Sequence, residues 1–148
     1  MKDDLKRLKL LGKNYSDLRT ISAYCQDSIV KIEDIKYLKK NKIILIMLNR
    51  FMWEDIEKGL FREYRRVKSV LKFDNIFKVS AKNINQNKKN RNLELLAIKA
   101  NTYKNSMNEI NLIFSGSCIL SLKAEEIEVM LDDQETSWIV KKLPKHKI

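Results

Sequence analysis

The sequence predicts an α+β fold, mostly β, in which antiparallel hairpins form a bent sheet or split barrel with a leading and a closing helix. Three observations carry this expectation. Apolar and polar residues alternate in short runs, as in Val67, Ser69, Leu71 and Phe73 set against Arg66, Lys68, Val70 and Lys72. Turn-forming residues such as Asp74-Asn75 and Ser115-Gly116-Ser117 separate these runs at hairpin spacing. Helical spacing is clear in only two places, one near each end of the chain.

The elements follow in order. Leu8, Leu10 and Leu11 suit a short first strand closed by Gly12. Asn14, with Asp17 three residues on, reads as the N-cap of a helix over Tyr15–Gln26, whose apolar stripe is Leu18, Ile21 and Cys25. Asp27–Glu54 reads as the hairpin around which the sheet grows. Its first arm alternates imperfectly, which fits a bulge or bend near Glu33-Asp34. Its second arm, Ile43–Leu48, has no polar break, as in a strand covered on both faces. Trp53–Tyr64 is expected to be a loop with one helical turn, since Gly59 interrupts its apolar spacing. Arg65–Phe73 and Ile76–Ala81 read as a second hairpin with Asp74-Asn75 at its tip. Lys82–Asn92 is a polar, basic loop with little to bury. Leu93–Ala100 is a strand, and Ile110–Phe114 with Ile119–Leu122 is a third hairpin. Ala124, Ile127, Met130 and Leu131 then form one stripe of a closing helix over Ala124–Gln134. About seven strands result, an element order that is pleckstrin-homology-like in outline and implies no lipid function.

A chain of 148 residues fits one domain, with an ordered core over about 8–140 and a basic tail over 141–148. Cys25 and Cys118 are the only cysteines, and the N-terminus lacks a signal-peptide core. Both facts fit a reducing, cytoplasmic setting. The longest apolar run, Ile43–Leu48, is six residues, far below the ~20 needed to span a bilayer as a helix. The net charge of +11 suggests an acidic partner. A compositional origin competes, because Lys, Asn and Ile together supply 53 of the 148 residues.

Several ordered blocks recur in a known pattern. They are Ile21-Ser22-Ala23 with Gln26-Asp27, Leu48-Asn49-Arg50-Phe51 with Trp53-Glu54, and Arg65-Arg66 with Leu71-Lys72-Phe73-Asp74. Leu95-Leu96-Ala97-Ile98 follows, and then the series Ile110, Phe114, Gly116, Ile119, Leu122, Glu126-Ile127-Glu128, Leu131 and Trp138. From about Leu8 to Trp138 the chain resembles a family of small bacterial proteins catalogued as a domain of unknown function, number 2948. The resemblance implies no activity, cofactor or catalytic residue. The chain departs from the pattern at Ser115-Gly116-Ser117-Cys118, where a glycine-richer turn is usual, and in its abundance of lysine.

The chemistry of the residues is sparse. His146, in the tail, is the only histidine, and the three glycines form no phosphate-cradling loop. No cofactor, metal ligand set or catalytic residue is expected. Glu126 and Asp133, two turns apart on the expected helix, are the carboxylates best placed to share a face. The positive signal is a basic cluster in which four of the seven arginines fall within 17 residues. Arg50, Arg62, Arg65 and Arg66, with Lys68 and Lys72, form a candidate anion- or nucleic-acid-binding face. Phe51, Trp53, Phe61 and Tyr64 interleave with them, as aromatic platforms for single strands do. Alternatively the aromatics are core and the arginines pair with Glu54, Asp55, Glu57 and Glu63. Three functional readings follow. The first is a non-catalytic interaction or accessory module with a protein partner. The second is an RNA-binding protein using the basic face. The third is a histidine-independent enzyme that relies on carboxylates or a metal.

Overall fold

The helix starts where the cap signal sits. In the computed structural model, which describes residues 7–54, 64–102, 104–141 and 143–144, Asn14 is extended at φ −146°. Its Oδ1 accepts the Asp17 N–H at 2.8 Å, and Asp17 accepts the Lys13 N–H at 2.9 Å. The first contact occupies a backbone donor that the first helical turn would otherwise leave unmet, and the second ties the residue before the cap to that turn. Helix α1 runs over Tyr15–Cys25 and buries Leu18, Ile21 and Cys25 against the sheet.

The sheet is antiparallel throughout. Its strands are β1 (Lys9–Gly12), β2 (Ser28–Lys31), β3 (Ile35–Leu38), β4 (Ile43–Phe51), β5 (Tyr64–Phe73), β6 (Ile76–Lys82), β7 (Asn92–Thr102), β8 (Asn108–Phe114), β9 (Cys118–Ala124) and β10 (Val129–Val140). Their spatial order is β1-β10-β5-β4-β2-β7-β8-β9-β6, with β3 on β4 beside β2. The first hairpin forms as its sequence suggests, broken by a 3-10 turn over Ile32–Asp34. The third forms as β8 and β9 around Ser115-Gly116-Ser117.

Two expectations are corrected. Asp74-Asn75 does not close a second hairpin, because β5 pairs with β4 and β10 while β6 pairs with β9. The turn is instead a corner in a bent ribbon. β5–β6 and β9–β10 run antiparallel through it together. The Asp74 N–H donates to the Glu128 carbonyl at 2.9 Å and the Glu125 N–H to the Asn75 carbonyl at 3.1 Å. The pairing thus continues around the bend. The sheet folds back on itself by this route, and the two sides enclose a core that includes Ile44, Ile46, Leu71, Phe73, Leu112, Phe114 and Leu122.

The second correction is the closing helix over Ala124–Gln134. That segment is the end of β9, a short connection and the start of β10, so the pleckstrin-homology-like outline with its C-terminal helix does not apply. Val129, Leu131 and Asp133 are buried, whereas Met130, Asp132 and Gln134 between them are half-exposed. The period is two, and a buried aspartate on the apolar phase disguised it. The strand count among the described residues rises to ten. The loop before β7 is also less bare than expected. Ile84 packs on the core, Asn83 Nδ2 donates to the Ser117 carbonyl at 2.9 Å, and the Ile32 and Glu33 N–H groups donate to the Arg91 and Lys89 carbonyls. The helical turn expected within Trp53–Tyr64 lies largely outside the described residues.

Candidate functional site

Alternation along β4 points Ile44, Ile46, Leu48 and Arg50 inward. Arg50 therefore enters the core with them and is fully buried. Its strand register sets it opposite Val67 of β5. One row away lie Ser69 of β5 and Asp133 of β10, which face each other. The guanidinium reaches diagonally across β5 to Asp133. Nε donates to Oδ1 and Nη2 to Oδ2, both at 2.8 Å. On its other side, Nη1 and Nη2 donate to Glu54 Oε1 and Oε2 at 2.9 and 2.6 Å. Nη1 also reaches the Phe51 carbonyl at 3.5 Å. A guanidinium carries five N–H donors, and Arg50 uses all five within the chain.

The remaining contacts tie this centre into the fold. Ser69 Oγ donates to Asp133 Oδ1 at 2.6 Å, and the Leu8 N–H donates to Oδ2 at 3.1 Å. The Tyr24 ring of α1 lies 5.8 Å from Arg50 Cζ. Burial by itself pushes the Asp133 carboxyl up, but the Arg50 hydrogen bonds and charge, Ser69 and Leu8 outweigh it and hold the group below its ordinary value. Burial likewise opposes the charge on Arg50, and its hydrogen bonds and ion pairs to Asp133 and Glu54 more than restore it. One cation with two carboxylates is an unfavourable seat for a phosphate. The centre is a clamp joining β4, β10, α1 and the entry to β1.

The other candidate residues do not converge on Arg50. Arg66 faces the opposite side of the sheet. Its Nη1 donates to the Asn49 and Asp27 carbonyls at 2.9 and 3.2 Å, and its guanidinium stands 5.8 Å from the Phe51 ring. Burial pulls Arg66 below the ordinary arginine value, with Asp27 and Glu94 acting against it. Arg65 lies opposite Ile139. Lys68 is exposed, and Lys72 is half-buried with Nζ 3.7 Å from Asp74. Arg62 and Phe61 lie outside the described residues. Phe51 is fully buried, and Trp53 packs edge-on to it at 4.6 Å while its Nε1 donates to the Gln26 carbonyl at 2.7 Å. These two aromatics belong to the packing and offer no stacking platform. Glu126 is exposed, and Asp133 is buried on Arg50, so the two share no face.

Two clefts remain. One, of about 530 Å³, lies between α1 and β7 and is lined by Leu18, Arg19, Ser22, Ile98 and Lys99. Ser22 Oγ there accepts the Ile98 N–H at 2.9 Å. The other, of about 550 Å³, lies where β3 and β6 face each other, with Ile44 and Leu120 as its floor. Sequence reasoning singled out Asp133 but paired it with Glu126 on a helix rather than with Arg50, and it missed this second cleft. Asp133 was detectable as the next member of the Val129, Leu131 alternation. The cleft had no local signal, because it depends on which strands pair.

Among the described residues, no group of three or more His, Cys, Asp or Glu side chains is placed to hold a metal ion. Cys25 and Cys118 are free and buried, and burial pushes the Cys25 thiol up to about 12. No helix among the described residues is long and apolar enough to cross a membrane. A family model described as "Protein of unknown function" (DUF2948) matches residues 8–146. No curated protein and no solved structure matches the chain.

Proposed function

The chain belongs to the DUF2948 family, and from that premise we propose that it is a non-catalytic module that binds a protein partner. The observation that carries this reading is the cleft between β3 and β6. Each of these strands pairs on one side only among the described residues, β3 with β4 and β6 with β9. The cleft is therefore bounded by backbone donors and acceptors as well as by apolar side chains, which suits a polypeptide. The internal use of Arg50 supports the same reading, since the most distinctive arginine of the basic cluster has no donor left for a ligand. Among the described residues, an RNA-binding role would run through Arg65, Lys68, Lys72 and the loop before β7 without Phe51 or Trp53 as platforms.

Affinity purification of the tagged full-length chain, with and without nuclease, tests the proposal. The expected result is a protein partner retained in stoichiometric amount after nuclease and moderate salt. Retention of nucleic acid alone, falling away steeply as salt rises, would overturn it.

A further inference from the structure

We propose that the β3–β6 cleft takes an extended segment of the partner as an added β-strand, one whose apolar residues alternate with acidic ones. This deepens the reading above and rests on it. The two edges do not bond directly. Tyr37 bridges them with its side chain, its hydroxyl donating to the Ile76 carbonyl at 3.4 Å. Among the described residues no ladder, with its ~4.8 Å strand spacing, joins the two edges. At the other end the Ile32 and Glu33 N–H groups already bond the Arg91 and Lys89 carbonyls. Between these two closures the seam stays open above Ile44 and Leu120, both core residues. One strand placed there would meet backbone groups on both sides.

The side chains define what that strand carries. Ile35, Val79 and Ile84 face the cleft and are only partly covered. Apolar residues at every second position of an inserted strand would cover them, because alternate side chains share a face. The charges around the cleft are Lys36 and Lys89 against the single carboxylate of Glu33, and β6 adds Lys78 and Lys82. Edge lysines discourage pairing between copies, and a chain of net charge +11 repels its like. A second copy is therefore a poor occupant, whereas a segment with carboxylates on its outward face is attracted.

Panning a phage-displayed library of random octapeptides against the full-length chain tests this. Enriched peptides are expected to alternate apolar and acidic residues. The bound peptide is expected to slow amide exchange in Ile35–Leu38 and Ile76–Lys82. Lys36→Glu with Lys89→Glu, both at exposed or rim positions, is expected to weaken binding about tenfold, or ~1.4 kcal/mol. Val79→Asp is expected to abolish it while the melting transition persists. Enriched peptides that protect other segments, or that lack the alternation, would overturn strand insertion and leave the interaction-module reading standing. No enriched peptide, together with salt-sensitive binding of a single-stranded RNA, would overturn both.

Discussion

Arg50 and Asp133, 83 residues apart in sequence, meet in the core through two parallel 2.8 Å hydrogen bonds that span the strand between them. Taking charges out of water is costly, and a pair of this kind is retained only when its geometry satisfies both partners. Removing one partner is worse than removing both. Asp133→Ala should destabilise the protein by about 3–5 kcal/mol, because it leaves Arg50 buried beside Glu54 alone. Ser69→Ala, which removes one neutral donor, should cost about 1 kcal/mol. Urea unfolding of the two variants against the parent checks the ranking, and a smaller loss for Asp133→Ala would contradict the clamp.

The same pair sets a pH dependence. The Asp133 carboxyl lies below its ordinary value in the folded chain. A depressed carboxyl contributes stability that is fully present above the unfolded value, about pH 4, and is lost as the pH falls through the folded value. The urea midpoint should therefore drop on acidification below about pH 4. Asp133→Asn should be less stable at neutral pH and should show a shallower drop.

Gly12 is a point of close approach between β1, α1 and β10. A Cβ there would meet Asp17 Cβ at 2.9 Å, Val129 Cγ1 at 3.0 Å and Ile21 Cδ1 at 3.2 Å. Asp17 and Ile21 belong to α1 and Val129 to β10, and the Asp17 Cβ cannot move without its backbone, so Gly12→Ala should cost about 1–3 kcal/mol. Thermal melting checks this, and an unchanged midpoint would show that the helix shifts freely.

Both thiols should be inert in the native state. Cys25 is fully buried, and its thiol is pushed up to about 12. Cys118 is buried, with Sγ 3.3 Å from the Asn83 carbonyl. A disulfide-exchange reagent at pH 8 should titrate neither until guanidinium is added, and then both. Rapid native reaction at either would mean that its surroundings open.

What could be read in advance divides along physical lines. Asn14 and Asp17 gave away the helix start, since capping is local. Ile43–Leu48 was legible as a strand, though only its Ile44, Ile46 and Leu48 face is buried and its other face is half-exposed, and Ser115-Gly116-Ser117 was legible as a hairpin turn. Asp74-Asn75 carried a true turn signal, but a turn does not say whether its strands pair or bend around a corner. Val129–Val140 misled because Asp133 stands where an apolar residue would complete the alternation, and only its contact with Arg50 explains it. Arg50 misled for the same reason, seen from the other partner. A buried ion pair between distant strands disguises both ends at once, and each then resembles a surface feature.

The most direct test compares two variants in the same partner-retention experiment. One combines Arg50→Met, Asp133→Leu and Glu54→Gln, replacing the ionic centre by apolar and neutral groups, which such centres often tolerate. The other combines Lys36→Glu and Lys89→Glu at the cleft. If the arginine is a clamp and the cleft binds, the first variant folds and keeps its partner while the second folds and loses it. A folded first variant that loses the partner, beside a second that keeps it, would contradict the account.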